Sequence, residues 1–244
     1  MTDKTDIALN THSGATPALN IDKRQDNLLW LQMWTDKQTG FHQLLVNPLL
    51  ARFWGGQSLP KGSRVLVPLC GKTQDMIWLA AQGHRVIGVE LSPVAVKAFF
   101  AENGLKVKKT REGSFTRWQS GLITIWCGDF FSLQPHHLGK IDIVFDRAAL
   151  TALPEAIRSQ YIAQLQTLIE DNSQIFLLTV EDIENSSNQA ADMIDEEIST
   201  LYAEHFEIRL THTERAHGNE LHKLNATFHS ESKVYQLTYR PITV

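Results

Sequence analysis

Four apolar runs in this chain end in residue types suited to holding a nucleotide-like ligand. The first, RVLVPL from Arg64 to Leu69, passes into Cys70-Gly71-Lys72, and a glycine at such a turn lets backbone approach a ligand closely. The second, HRVIGVE, closes on Glu90, 19 residues after Gly71, about where an acidic side chain accepts hydrogen bonds from two ribose hydroxyls. ITIWCGD, Ile123 to Asp129, brings Asp129 and Phe130 together, an acceptor for a purine amino group beside a ring that packs on the base. IDIVFDR ends on Arg147, whose guanidinium would hold a carboxylate in a bidentate pair or face a second substrate. Each has a plain alternative: a tight turn at Gly71, a helix cap at Glu90, a solvated loop at Asp129, a local pair of Asp146 with Arg147. Trp30 and Trp34 lie one helical turn apart and share a face, either to pack a core or to meet a cation.

Other chemistries lack their residues. The ten histidines show no HExxH or comparable metal-ligand spacing, so no metal is expected, and neither GxSxG nor a P-loop occurs. The two cysteines, Cys70 and Cys127, lack CxxC spacing and suggest neither zinc nor a disulfide framework. A net charge of -4 gives no pull toward nucleic acid or an anionic membrane. The chain has no apolar run of about 18 residues, and MTDKTDIALNTHSGATPALN lacks the layout of a signal peptide. These features together point to a cytoplasmic protein acting on a small molecule, and a monomer is expected.

The elements that must position these residues alternate. The polar stretch from Met1 to about Asp26 reads as a flexible tail, and a single domain is expected over 27–244. Over 27–56, apolar spacing at Leu28, Trp30, Leu31 and Trp34, then Phe41, Leu44, Leu45 and Leu49, predicts two short helices around an Asp36 to Gly40 turn, a helical cover. Beyond it, short β-branched runs alternate with helices at about Gln74 to Gln82, from Ser92-Pro93 to Asn103, and from Pro154. That alternation predicts an α/β fold of the Rossmann-like kind, with about seven strands, mainly parallel, and helices on both faces. A helix near Ala190 to His205 then precedes FEIRLT and VYQLTYR, an antiparallel C-terminal pair.

WLQMWTDKQTGFH, VLVPLCGKTQDMIWLAAQGHRVIGVELS, WCGDFF and FDRAAL, in that order, resemble the bacterial branch of the thiopurine S-methyltransferase family, class I S-adenosylmethionine-dependent enzymes. The likeness runs from about Leu29 to Leu178. It implies that Trp30, Trp34 and Phe41 cover S-adenosylmethionine while Leu69 and Gly71 pass beneath it. Glu90, with Leu91 beside it, would take the ribose, Asp129 and Phe130 the adenine end, and Arg147 the face toward the acceptor. Family members carry Gly-Pro-Pro-Phe after the fifth strand, where this chain reads EDIENSSNQAADMID, so the acceptor stays open. Arg215 in HTERAH is the nearest match to a substrate arginine of the family.

The reaction implied is in-line attack of a thiolate or selenolate on the sulfonium methyl, releasing S-adenosylhomocysteine, with alignment the main requirement. Acceptors would be thiopurine-like thiols, or selenium or tellurium compounds. Asp36 or His42 would serve as any base needed. Two alternatives stand beside this: a nicotinamide-dependent oxidoreductase, which the spacing of Gly71 and Glu90 allows, and a non-catalytic methyltransferase-like fold that binds a metabolite or partner.

Overall fold

Residues 23–182, 189–219 and 227–240 are described by a computed structural model. Its centre is a run of parallel strands, β1 (Arg64–Val67), β2 (Arg85–Glu90), β5 (Ile123–Cys127), β6 (Ile143–Arg147) and β7 (Gln174–Asp182). Two antiparallel pairs extend it, β3 (Lys108–Glu112) with β4 (Phe115–Ser120) beside β5, and β8 (Phe206–Asn219) with β9 (Thr227–Tyr239) beside β7. The order is β3-β4-β5-β2-β1-β6-β7-β9-β8, nine strands where about seven were expected. The addition is β3 and β4. KKTRE is charged and exposed, so it carries no burial signal, and the two-residue turn Gly113-Ser114 alone marks a hairpin.

Side chains alternate across the central strands. Leu66, Val144, Ile175 and Leu177 join the core on one face, while Val65, Val67, Ile143, Phe145, Phe176 and Leu178 join that on the other. Continuous apolar runs are what a sheet covered on both faces demands. Gly128 follows β5 because a Cβ there would lie 2.4 Å from the Phe115 ring, so the close approach of β4 excludes any side chain.

The helices are α1 (Lys23–Thr35), α2 (Pro48–Phe53), α3 (Asp75–Ala81), α4 (Pro93–Glu102), α5 (Pro135–Leu138), α6 (Ala149–Ala152), α7 (Glu155–Leu168) and α8 (Gln189–Tyr202). α4 starts as its sequence predicts, with the Ser92 hydroxyl accepting from Ala95 N–H and Pro93 in the first turn. Two expectations change. α1 already includes Lys23 to Asp26, before the boundary near Asn27, and buries Asp26. The second cover helix is Pro48–Phe53, with Pro48 in the first turn that its fixed φ suits and Asn47 capping it by accepting from Leu49 N–H, so of the expected apolar set only Leu49 lies within it. Leu44 and Leu45 are therefore exposed in a loop. No helix among the described residues is long and apolar enough to cross a membrane.

From β1 the chain steps to β2 and outward to β5, then returns to β6 on the other side of β1. Strand order thus reverses beside β1, and the crevice beyond its carboxyl end is where such sheets bind ligands. One side of that crevice is fixed by Asp146, fully buried at the end of β6. Its Oδ1 accepts from Ala149 N–H at 3.0 Å and its Oδ2 from the Tyr161 hydroxyl of α7 at 2.7 Å. Burial pushes its pKa up to about 6, and the Tyr161 bond works against that rise. Tyr161→Phe is expected to cost about 1–3 kcal/mol in urea unfolding, the usual penalty for leaving a buried acceptor short of its donor.

Candidate active site

Beyond the carboxyl ends of β1, β2, β5 and β6 lies a cavity lined by the strand-end residues and roofed by α1. At its floor the β1 turn takes left-handed backbone twice, at Leu69 (φ +46°) and Gly71 (φ +54°). Gly71 is doubly constrained, since a Cβ there would also lie 3.2 Å from the Trp34 ring. The turn is pinned to β2 by Glu90, whose Oε2 accepts from Gly71 N–H at 2.8 Å and Oε1 from Ser92 N–H at 2.7 Å. Each carboxylate oxygen keeps acceptor capacity toward the cavity, so capping and ligand binding are compatible uses of Glu90. Its burial pushes the pKa up to about 7, against the pull of the backbone amides.

Arg147 is not paired with the neighbouring Asp146. Its Nε donates to Asp75 Oδ2 at 2.8 Å and its Nη2 to Thr73 Oγ1 at 3.1 Å. Asp75 is wholly buried at the start of α3, and its Oδ1 accepts from Asn47 N–H at 2.8 Å. The second terminal nitrogen of Arg147, Nη1, is left to the cavity that Arg147 lines. Ala148, next along, also has left-handed backbone at φ +60°.

The cover is aromatic. Phe41 meets Trp30 and Trp34 edge-on, with ring centroids 5.3 and 5.5 Å apart, and all three line the cavity. His42 lines it too, and burial, reinforced by Lys72, holds its pKa below the usual histidine range, so the ring is neutral near pH 7. Asp36 lies elsewhere. It is exposed, accepts from Gln32 Nε2 at 2.7 Å, and is absent from the cavity lining, so of the two suggested bases only His42 is in position.

At the β5 end Asp129 is half-buried, and its Oδ1 accepts from Phe131 N–H at 3.0 Å as the cap of a short turn. Phe130 is a core residue tilted against Tyr161 that also lines the cavity, and Leu91 lies beside Glu90 in the lining. Arg215 is not in the lining; it sits on the outer strand β8 and pairs with Glu231 of β9. Most of the EDIENSSNQAADMID stretch lies outside the described residues or has no described side chains.

Sequence reading missed Asp26, Lys72, Thr73 and Asp75, all cavity-lining or one bond from Arg147. Asp75 opens a predicted helix and resembles any first-turn acid, so nothing local announced it. Outside the cavity, β3 carries Glu112 to His136 and His137 with possible ligand atoms within 4.8 Å. The two imidazoles are tilted against each other with centroids 4.0 Å apart and His137 Nδ1 is engaged by the Gln134 backbone, an arrangement that caps α5.

The model of the thiopurine S-methyltransferase family matches residues 25–240. The chain belongs to that family. It is 52% identical to the thiopurine S-methyltransferase of Stutzerimonas stutzeri, covering 87% of this chain and 91% of that one. The Bordetella petrii thiopurine S-methyltransferase is 46% identical over 75% of this chain and 84% of its own. Among solved structures, a SAM-dependent methyltransferase from Anabaena variabilis shares the fold at 12% identity, with a TM-score of 0.58, 88% of this chain and 95% of that chain covered. The family match extends beyond both ends of the Leu29 to Leu178 stretch. A family member is an S-adenosylmethionine-dependent methyltransferase, so the oxidoreductase alternative falls.

Glu90 sets a pH dependence. Because its folded pKa of about 7 exceeds the ordinary 4.5, its contribution to ligand-free stability is complete below about 4.5 and lost as pH rises through about 7. A ligand whose hydroxyls donate to Glu90 prefers the carboxylate, so S-adenosylhomocysteine should bind about tenfold more tightly at pH 8 than at pH 6. Calorimetry should find that rise in the wild type, and a weaker, flatter profile for Glu90→Gln.

Proposed function

We propose that the cavity holds S-adenosylmethionine with its methionine end over Leu69 and Gly71, its ribose on Glu90 and its adenine toward the β5 end, and that the acceptor is a small aromatic or heterocyclic thiol. The observation that carries this reading is the buried Glu90 carboxylate, held by Gly71 and Ser92 N–H groups with acceptor capacity left toward a cavity under an aromatic roof. The residues suit the cofactor: a backbone floor without a side chain at Gly71, an acceptor pair for a diol, and π faces for a sulfonium. When bound, the cofactor supplies a methyl group already activated by positive charge.

What remains for the protein is orientation and charge. Trp30, Trp34 and Phe41 exclude water and favour a cation. Arg147 is held rigid through Nε and Nη2, so its remaining nitrogen presents a fixed positive donor to an anionic sulfur. His42, neutral at physiological pH, accepts the thiol proton when the acceptor arrives protonated. We read the protein as a cytoplasmic monomer that meets neither nucleic acid nor membrane.

The test is transfer of a labelled methyl group to a panel of aromatic thiols, selenols and tellurium compounds. Arg147→Ala should lower kcat/KM for a thiol about 10- to 100-fold, the weight of a lost charged hydrogen bond. Tight S-adenosylhomocysteine binding without transfer to any acceptor would favour the non-catalytic reading instead.

A further inference from the structure

Helix α1 presents Asp26, Trp30 and Trp34 at successive turns, so the three share one face, and all three line the cavity. Two contacts fix how that face lies. At one end the Trp34 ring abuts Gly71 in the β1 turn. At the other, Lys23 Nζ stands 4.7 Å over the ring of Phe131, just past β5. In the sheet β2 lies between β1 and β5, so α1 spans the floor from the Gly71 turn, past Glu90, to the Asp129-Phe130-Phe131 turn. Asp26 occupies the β5 end of that span.

An acid in the first turn of a helix ordinarily sits in water and serves the helix dipole. Asp26 is only 4% exposed. No cation pairs with it among the described residues, and its hydrogen-bonding neighbour is Trp30 of its own helix. A buried carboxylate so placed is costly unless another donor completes it. A ligand in the cavity that Asp26 lines can supply that donor. Asp129, the other acid at this end, also lines the cavity but is less buried, so water offsets its charge more readily than that of Asp26.

We propose that Asp26 accepts a hydrogen bond from the exocyclic amino group of adenine, so that α1 reads the base as well as roofing the sulfonium. This rests on the cofactor orientation proposed above. Burial raises the Asp26 pKa, and a bound amino group would restore the ionised form.

The proposal is tested by calorimetry at pH 8 with S-adenosylhomocysteine and with S-inosylhomocysteine, which carries a carbonyl where adenine has its amine. Wild type should favour the adenine ligand at least about tenfold. Asp26→Asn, whose amide donates to that carbonyl, should shrink the preference at least about fivefold or invert it, while Asp129→Asn should keep it. The ratio of two affinities within one protein is insensitive to the folded fraction, so partial unfolding does not mask the answer. An unchanged ratio in Asp26→Asn overturns the proposal, as does its loss in Asp129→Asn alone. Glu90→Gln separates the two levels: it should weaken both ligands equally with the ratio kept, and a wild type that binds neither ligand overturns the cofactor reading itself.

Discussion

Asp75 joins three parts of the chain at one buried point. Its carboxylate receives the Asn47 amide from the cover, the Thr73 hydroxyl from the turn after β1, and the Arg147 guanidinium from the end of β6. A wholly buried carboxylate is tolerable only when charge and hydrogen bonds compensate it, and here the compensation comes from the groups that must be aligned. The arginine is thereby aimed, the floor is tied to its neighbouring strand, and α2 starts where the roof needs it. Tyr161 performs the same service for Asp146 one residue before Arg147, so two consecutive residues of β6 are fixed from opposite faces of the sheet.

Floor and roof are built differently. The floor consists of strand ends pinned by Glu90 and the backbone amides of Gly71 and Ser92, a frame with little freedom. The roof is one helix and a loop with no strand pairing, held by aromatic edges and by the Asn47 tether, and it leaves Leu44 and Leu45 in water. A site that must admit and release a large charged ligand needs that contrast, since local opening belongs to segments with few packed contacts.

The sequence made the parallel centre legible because each strand there is buried on both faces and each helix has its own start signal. Gly71, Glu90, Asp129, Phe130 and Arg147 were legible for a related reason: strand ends in such a sheet are where ligands bind, and the strands were plain; Leu69 and Leu91 came with the family resemblance. β3 was not, because a charged exposed edge carries no hydrophobic period. Asp36 was misjudged because proximity in the chain to Trp34 says nothing about which side of the turn a side chain takes. Arg215 was placed by likeness alone, and strand pairing sets it against Glu231 instead. Asp26 and Asp75 escaped notice because burial turns an ordinary helix-start acid into something else, and burial is a property of the fold.

Leu69 and Ala148 hold left-handed backbone at the ends of neighbouring strands, a conformation that costs a side-chain-bearing residue on the order of 1–2 kcal/mol. Stability is therefore being forgone at the two turns that line the crevice, where a glycine would relieve the strain but loosen the chain in its unfolded and folded forms alike. Asparagine, which tolerates left-handed backbone without glycine's freedom in the unfolded chain, is the replacement that would relieve the strain at either turn. The crevice thus gathers the backbone strain of neighbouring strand ends on one wall, where the shape of its floor is set.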